Sequence, residues 1–325
     1  MIARPSLAGD RRASSSVPDL IFRSGTRLFA WSVAAILVAL AVVLILTGSE
    51  AFRTFGLGFV TGTSWDPVAG LYGALPYIVG TLATSLIAVA LATPIGILTA
   101  VYLAELAPRR VAAPLTFAIE LLAAIPSVVY GLWGLFVLGP FLDSTVEAWI
   151  SGTLGWIPVF AGPTYGVGLF AAGVILTIMI LPTIVSISRD VITSVPDSHR
   201  EAMLALGATR WETVRRAVLP VARSGIAGAV ILGLGRALGE TMAVTMVIGN
   251  GAGLPGSIFD TAQTIASQVA TTFNEASIGL QTSALIGLGL ILLVITVGLN
   301  IVARVLVGRI GAGEPKRIAG RGRGR

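Results

Sequence analysis

The 325 residues include no cysteine, a single histidine (His199) and a single lysine (Lys316). Without cysteine there can be no disulfides and no thiolate metal sites. One histidine excludes a histidine-cluster metal centre, and no nucleophile–base constellation of an enzyme is visible. The shortage of lysine bears on energy supply. A nucleotide-binding P-loop needs a lysine in G-x-x-x-x-G-K-[ST], whereas Lys316 sits in Gly-Glu-Pro-Lys-Arg. The chain is not its own ATPase of that kind. Charge is scarce as well: 12% of residues are charged and 55% hydrophobic, with a mean hydropathy of +0.89. A soluble domain carries about 25% charged residues, so the chain reads as an all-α integral membrane protein. A net charge of +6 would suit nucleic acid, but the placement of the charges argues against that partner.

Six apolar segments reach the length of about 17–25 residues that a crossing needs. They are Leu28–Thr47, Pro76–Ala104, Pro114–Leu142, Thr164–Ser186, Gly225–Gly249 and Ile278–Val307. The first is too long for a signal-peptide core and follows a basic arm, so it reads as a retained anchor. Twenty of the twenty-two Lys and Arg residues fall before the first segment, between the second and third, between the fourth and fifth, or from the last turn of the sixth (Arg304) onward. The other loops hold Arg53, and Arg236 lies inside a segment. By the positive-inside rule both termini are cytoplasmic.

The basic tails 1–27 and 308–325 lack apolar periodicity and are expected to be disordered, orienting the chain and touching lipid. Between them lies one permease domain, 28–307, with a cytoplasmic loop at 187–224. External loops are expected at Gly48–Leu75, Asp143–Pro163 and Asn250–Ser277, and Trp149 and Trp156 suit a membrane-edge belt. In the third external loop, Ile265-Ala-Ser-Gln-Val-Ala could lie along the interface as a short amphipathic stretch. Pro94 and Pro126 are expected to interrupt the second and third segments, either as packing kinks or as cavity-lining breaks.

Within the cytoplasmic loop, Ser198-His-Arg-Glu201 has the form of a capping box. A short helix to Leu206 would follow, with Gly207 as its left-handed terminator. Thr209-Arg-Trp-Glu212 repeats the capping box and opens a helix expected to end at Leu219-Pro220. Ala202, Met203, Ala205 and Leu206 form an apolar knob flanked by Arg200, Arg210, Arg215 and Arg216. Such a knob fits a partner's groove or folds back on its own bundle, and from the residues alone the two readings stand level. The stretch resembles the signature loop of ABC-importer permeases: Glu-Ala-Ala, three residues, Gly, nine residues, Ile-x-Leu-Pro. Glu201, Ala202, Gly207, Leu219 and Pro220 match, while Met203 and Ala217 stand where Ala and Ile are expected. The resemblance implies docking on a separate ATPase subunit.

The fifth segment contains Gly235-Arg236-Ala-Leu-Gly239-Glu240. A charge at mid-bilayer costs at least about 2.5–3.5 kcal/mol. Spaced by four residues on a helix, Arg236 and Glu240 would share a face and neutralise each other, and Gly235 and Gly239 would allow close helix approach. The pair either fixes helix register or serves transport, in the substrate path or at a gate. An arginine fork suits an oxyanion.

Phe59-Val-Thr-Gly-Thr-Ser-Trp-Asp-Pro-Val, Ile125-Pro-Ser-Val-Val-Tyr-Gly-Leu-Trp-Gly134 and Arg236-Ala-Leu-Gly-Glu-Thr-Met-Ala are similar to motifs of the C-type permeases of phosphate ABC importers. The resemblance spans about residues 28–307. It implies six transmembrane helices in the type I ABC importer permease architecture, in the bacterial plasma (inner) membrane. It also implies an A-type sister permease, two ATPase subunits that use ATP and Mg, and an external phosphate-binding protein. This chain itself would bind no cofactor. Other readings are a permease for molybdate or sulfate, and a secondary transporter driven by an ion gradient.

Hydrogen phosphate can donate a hydrogen bond to a carboxylate, which sulfate at neutral pH cannot. With Glu240 on the path, Glu240→Gln is expected to narrow the preference for phosphate over sulfate in uptake assays. Unchanged selectivity with normal transport would remove Glu240 from the filter.

Overall fold

The computed structural model describes residues 17–311, with side chains for 21–308. Apolar runs with no water to bond their amides must satisfy them internally, which selects helix. Six helices are long and apolar enough to cross a membrane: Ile21–Phe55, Leu75–Leu106, Ser127–Leu154, Leu169–Thr193, Arg210–Gly239 and Leu280–Gly308. They are the first to sixth spans below. A small antiparallel hairpin, Trp65–Asp66 with Leu71–Tyr72, follows the first span.

The fourth span is the most buried and the first the least. The fourth packs on the second and fifth, and the first packs on the sixth. Three apolar clusters hold the bundle. The largest joins Ala88 and Ala92 of the second span, Ile175 to Ile184 of the fourth, and Val244 and Val247 beyond the fifth. A second surrounds Phe59, Tyr77, Ile265 and Leu285, where Trp65 stacks edge-on against Tyr72 and Tyr77. The third ties the ends of the second and fourth spans to Val214 and Val218.

Several expectations change. Residues 17–27 of the expected N-terminal tail are helical and run straight into the first span. Residues 308–311 likewise continue the sixth, while the rest of both tails lies outside the described residues. Pro94 does not interrupt the second span, which is helical from Leu75 through Val101. Pro126 does break the chain. The residue before a proline is pushed out of the helical region, and Ile125 sits at φ −67°, ψ 129°. The expected third segment therefore divides into a helix Arg109–Ala124, none of whose residues is buried, and a true span starting at Ser127. That span runs on through Asp143 and Glu147, which had been placed in an external loop. Glu147 is tolerated in the interior because its carboxylate accepts the Gly166 N–H at 3.1 Å.

The stretch at 265 is helical and packs into the bundle. Helix Ile265–Thr272 begins at a Thr264/Ser267 capping box and buries Ile265, Ser267 and Gln268. Thr81 of the second span fixes it by accepting the Ile265 N–H at 2.9 Å. This approach requires glycine next door, since a Cβ on Gly80 would stand 2.1 Å from the Gln263 carbonyl oxygen. Gly80→Ala should force backbone apart and destabilise the fold by about 1–3 kcal/mol. A lowered melting temperature of the purified protein in detergent would register it, and an unchanged one would contradict this packing.

Candidate functional site

The loop between the fourth and fifth spans begins at Pro196, which holds φ −57° and ψ 139°, and the helix Asp197–Ala205 starts directly after it. Ser198 is thus already inside the helix, and its hydroxyl makes no cap hydrogen bond. The expected Ser198–Glu201 capping box does not form, because the proline sets the helix start two residues too early for it. The stop at Gly207 does form. With φ at +81°, the Gly207 N–H donates to the Leu204 carbonyl at 2.9 Å and the Ala208 N–H to the Met203 carbonyl at 3.1 Å. These two bonds are the Schellman closure that glycine permits.

The second capping box is complete: the Glu212 N–H donates to Thr209 Oγ1 at 3.3 Å, and the Thr209 N–H to Glu212 Oε2 at 2.9 Å. The helix it opens does not end at Leu219-Pro220. Arg210–Thr213 continues through a π-helical turn, Val214–Val218, into Leu219–Gly239. A proline ring collides with the carbonyl four residues earlier in a regular helix, and the widened turn just ahead of Pro220 takes up the misfit.

The expected docking residues fall into two groups. Glu201, Ala202 and Gly207 are exposed on the elbow. Leu219 is half-buried against the third apolar cluster, and Pro220 is exposed in the first turn of the continuing helix. Of the knob, Ala202, Ala205 and Leu206 face outward, Leu206 with 84% of its surface open, while Met203 is half-buried. Leu204 and Trp211 are also exposed and had not been singled out. A tryptophan directly after a basic residue in a polar loop was the available signal.

Arg200 had been read only as a flanking charge, yet it is the most connected side chain of the loop. It pairs with Glu105 at the end of the second span at 2.7 Å and with Asp197 at 3.1 Å. The hydrogen bond it donates to the Glu105 carboxylate raises the guanidinium pKa above its ordinary value.

Inside the membrane the fifth span stops short. Glu240 adopts extended angles, φ −70° and ψ 129°, and a new short helix runs Met242–Val247. Arg236 and Glu240 therefore do not share a helix face, and no ion pair joins them. Gly239 weakens the helix end, and the Glu240 carboxylate instead accepts the Ala243 N–H at 3.2 Å. Among the described residues the only acceptor for the half-buried Arg236 is Thr183 Oγ1 on the fourth span, at 3.3 Å. A broken helix in a membrane is tolerated where it is buried in protein or lines a cavity, and transporter sites are built on such interrupted helices. Within this chain Gly235 and Gly239 meet no neighbour: nothing lies within 4 Å of a Cβ on either. Gly233 makes a close approach instead, against Ile184 at 3.0 Å.

A family model described as the binding-protein-dependent transport system inner membrane component matches residues 92–312. The phosphate transport system permease protein PstC of Mesorhizobium japonicum is 47% identical over 95% of this chain and 97% of its own. That of Pasteurella multocida is 44% identical, over 98% and 100%. In fold, the chain is similar to a bacterial alginate ABC transporter, with a TM-score of 0.58 at 19% identity over 90% of this chain and 96% of that one. It also resembles the MetNI methionine ABC transporter, with a TM-score of 0.53 at 21% identity over 71% and 93%. With its six spans, exposed elbow and interrupted fifth helix, the chain belongs to the binding-protein-dependent transport system inner membrane components, in the branch of the PstC permeases.

Proposed function

We propose that this chain is the C-type permease subunit of an ATP-driven inorganic phosphate importer. The observation that carries the reading is Arg236, a half-buried cation inside a span that has, among the described residues, a hydroxyl but no carboxylate for a partner. Its planar fork has donors to spare for the oxygens of an oxyanion. Its place just before the break in the fifth span is where a translocation path through interrupted helices is expected. Similarity to PstC permeases along nearly the whole chain supports phosphate as that anion. Glu240 then stands beside the path or gates it, through its hold on the next helix.

The basic ends and the elbow lie in the cytoplasm on this reading, by the distribution of arginine. The exposed residues Glu201, Ala202 and Leu206 dock on a separate ATPase, which uses the ATP and Mg, while Leu219 and Pro220 join the elbow to the fifth span. A second, homologous A-type permease packs against this chain on this reading, and small residues such as Gly235 and Gly239 would let its helices approach closely. Two ATPase copies and an external phosphate-binding protein complete the importer. A permease for sulfate or molybdate is the nearest rival, and anion competition in vesicle uptake separates the two.

Two outcomes are expected. Removing one charged hydrogen-bond donor set costs about 1.5–3 kcal/mol, so Arg236→Gln should lower phosphate uptake by about 10- to 150-fold. Arg236→Lys should fall between that variant and the wild type, because it keeps the charge and loses the fork. Uptake at wild-type rates in Arg236→Gln would take the residue off the path. For the elbow, a β-branched residue held at φ +81° is strained by about 1–3 kcal/mol. Gly207→Val should therefore reduce co-purification of the ATPase subunit while the permease still inserts, and full recovery of the ATPase would contradict docking through this turn.

A further inference from the structure

The coupling helix Asp197–Ala205 contains no buried residue, so apolar packing gives it little grip on the bundle. A cavity of about 130 Å³ lies beside it, lined by Glu105, Arg200, Leu204, Arg210, Thr213 and Val214. What does hold the helix is Arg200. A guanidinium has five N–H donors, and here all five are engaged. The Nε–H is shared between the Glu105 carboxylate oxygens at 3.2 and 3.3 Å. One terminal nitrogen donates to Glu105 Oε1 at 2.7 Å and to the Ile192 carbonyl at 3.0 Å. The other donates to the Val195 carbonyl and to Asp197 Oδ1.

Those acceptors belong to different bodies. Glu105 ends the second span, Ile192 lies in the last turn of the fourth, and Asp197 opens the coupling helix itself. The arginine is four-fifths buried and Glu105 nearly nine-tenths, so the pair is shielded from the solvent screening that weakens surface ion pairs. The fourth span also carries Thr183, the partner of Arg236, about 13 Å along the same helix from Ile192.

We propose that Arg200, latched to Glu105 and to the end of the fourth span, is the positioning residue through which displacement of the coupling helix moves the second and fourth spans. The proposal rests on the reading of this chain as an ATP-driven permease and goes beyond it by naming the joint. Lysine cannot replace the arginine, because a point charge with three donors cannot hold a carboxylate and separate carbonyls in one plane.

The test uses the complete importer in proteoliposomes, with Arg200→Lys, Arg200→Met and Glu105→Gln beside the wild type. Assembly is read by size-exclusion chromatography, and phosphate uptake and ATP hydrolysis are measured on the same vesicles. In assembled variants, uptake should fall by about tenfold or more, as expected for loss of charged hydrogen bonds, and ATP consumed per phosphate should rise by a similar factor. An unchanged ratio of ATP to phosphate in any assembled variant overturns the proposal. So does failure of all three to assemble, which would make the latch a folding contact only. A wild-type complex that carries another oxyanion and no phosphate refutes the choice of cargo instead. The same ratio, read with that anion, still decides the latch.

Discussion

A peptide group inside a bilayer has no water to bond to, and most of this structure follows from that constraint. It turns the six apolar runs into helices and lets Pro94 and Pro182 pass within helices that remain continuous. It also makes each true interruption meaningful, since freed amides and carbonyls need partners. Around Glu240 one such partner is the glutamate's own side chain, which accepts the Ala243 N–H. A charged residue that the membrane penalises thus serves as the cap that allows the helix to be broken.

The same constraint separates what could be read in the residues from what could not. The number of spans and the left-handed turn at Gly207 were legible because each rests on local chemistry: hydropathy over about 20 residues, and a backbone angle that glycine tolerates. The Thr209–Glu212 box was legible for the same reason, being complete within four residues. Its neighbour at Ser198 failed because Pro196, outside the four-residue pattern, sets where the helix begins. The pairing of Arg236 with Glu240 failed for a related reason. The spacing argument presumed a continuous helix, and Gly239 followed by a self-capping glutamate ends it.

Long-range partners were not legible at all. Arg200 and Glu105 are 95 residues apart, and no periodicity links them. Thr183 looked like one of many hydroxyl residues in an apolar run until the fold set it against Arg236. Glu147 sat in a segment read as an external loop, since its buried environment depends on the distant Gly166 amide. Such contacts come from the packing of the fourth span among its neighbours, and no single helix specifies them.

The π turn at Val214–Val218 lets one rod run from Arg210 to Gly239, with the elbow at one end and Arg236 near the other. Thirty residues of helix measure about 45 Å. A rod of that length has leverage: a tilt of about 5° displaces one end by about 4 Å relative to the other. That exceeds the reach of the 3.3 Å hydrogen bond between Arg236 and Thr183. Because Ala222, Ile226 and Ala237 on the same rod belong to the apolar clusters, a tilt that frees the arginine from its hydroxyl partner also shifts the packing between the fifth span and its neighbours.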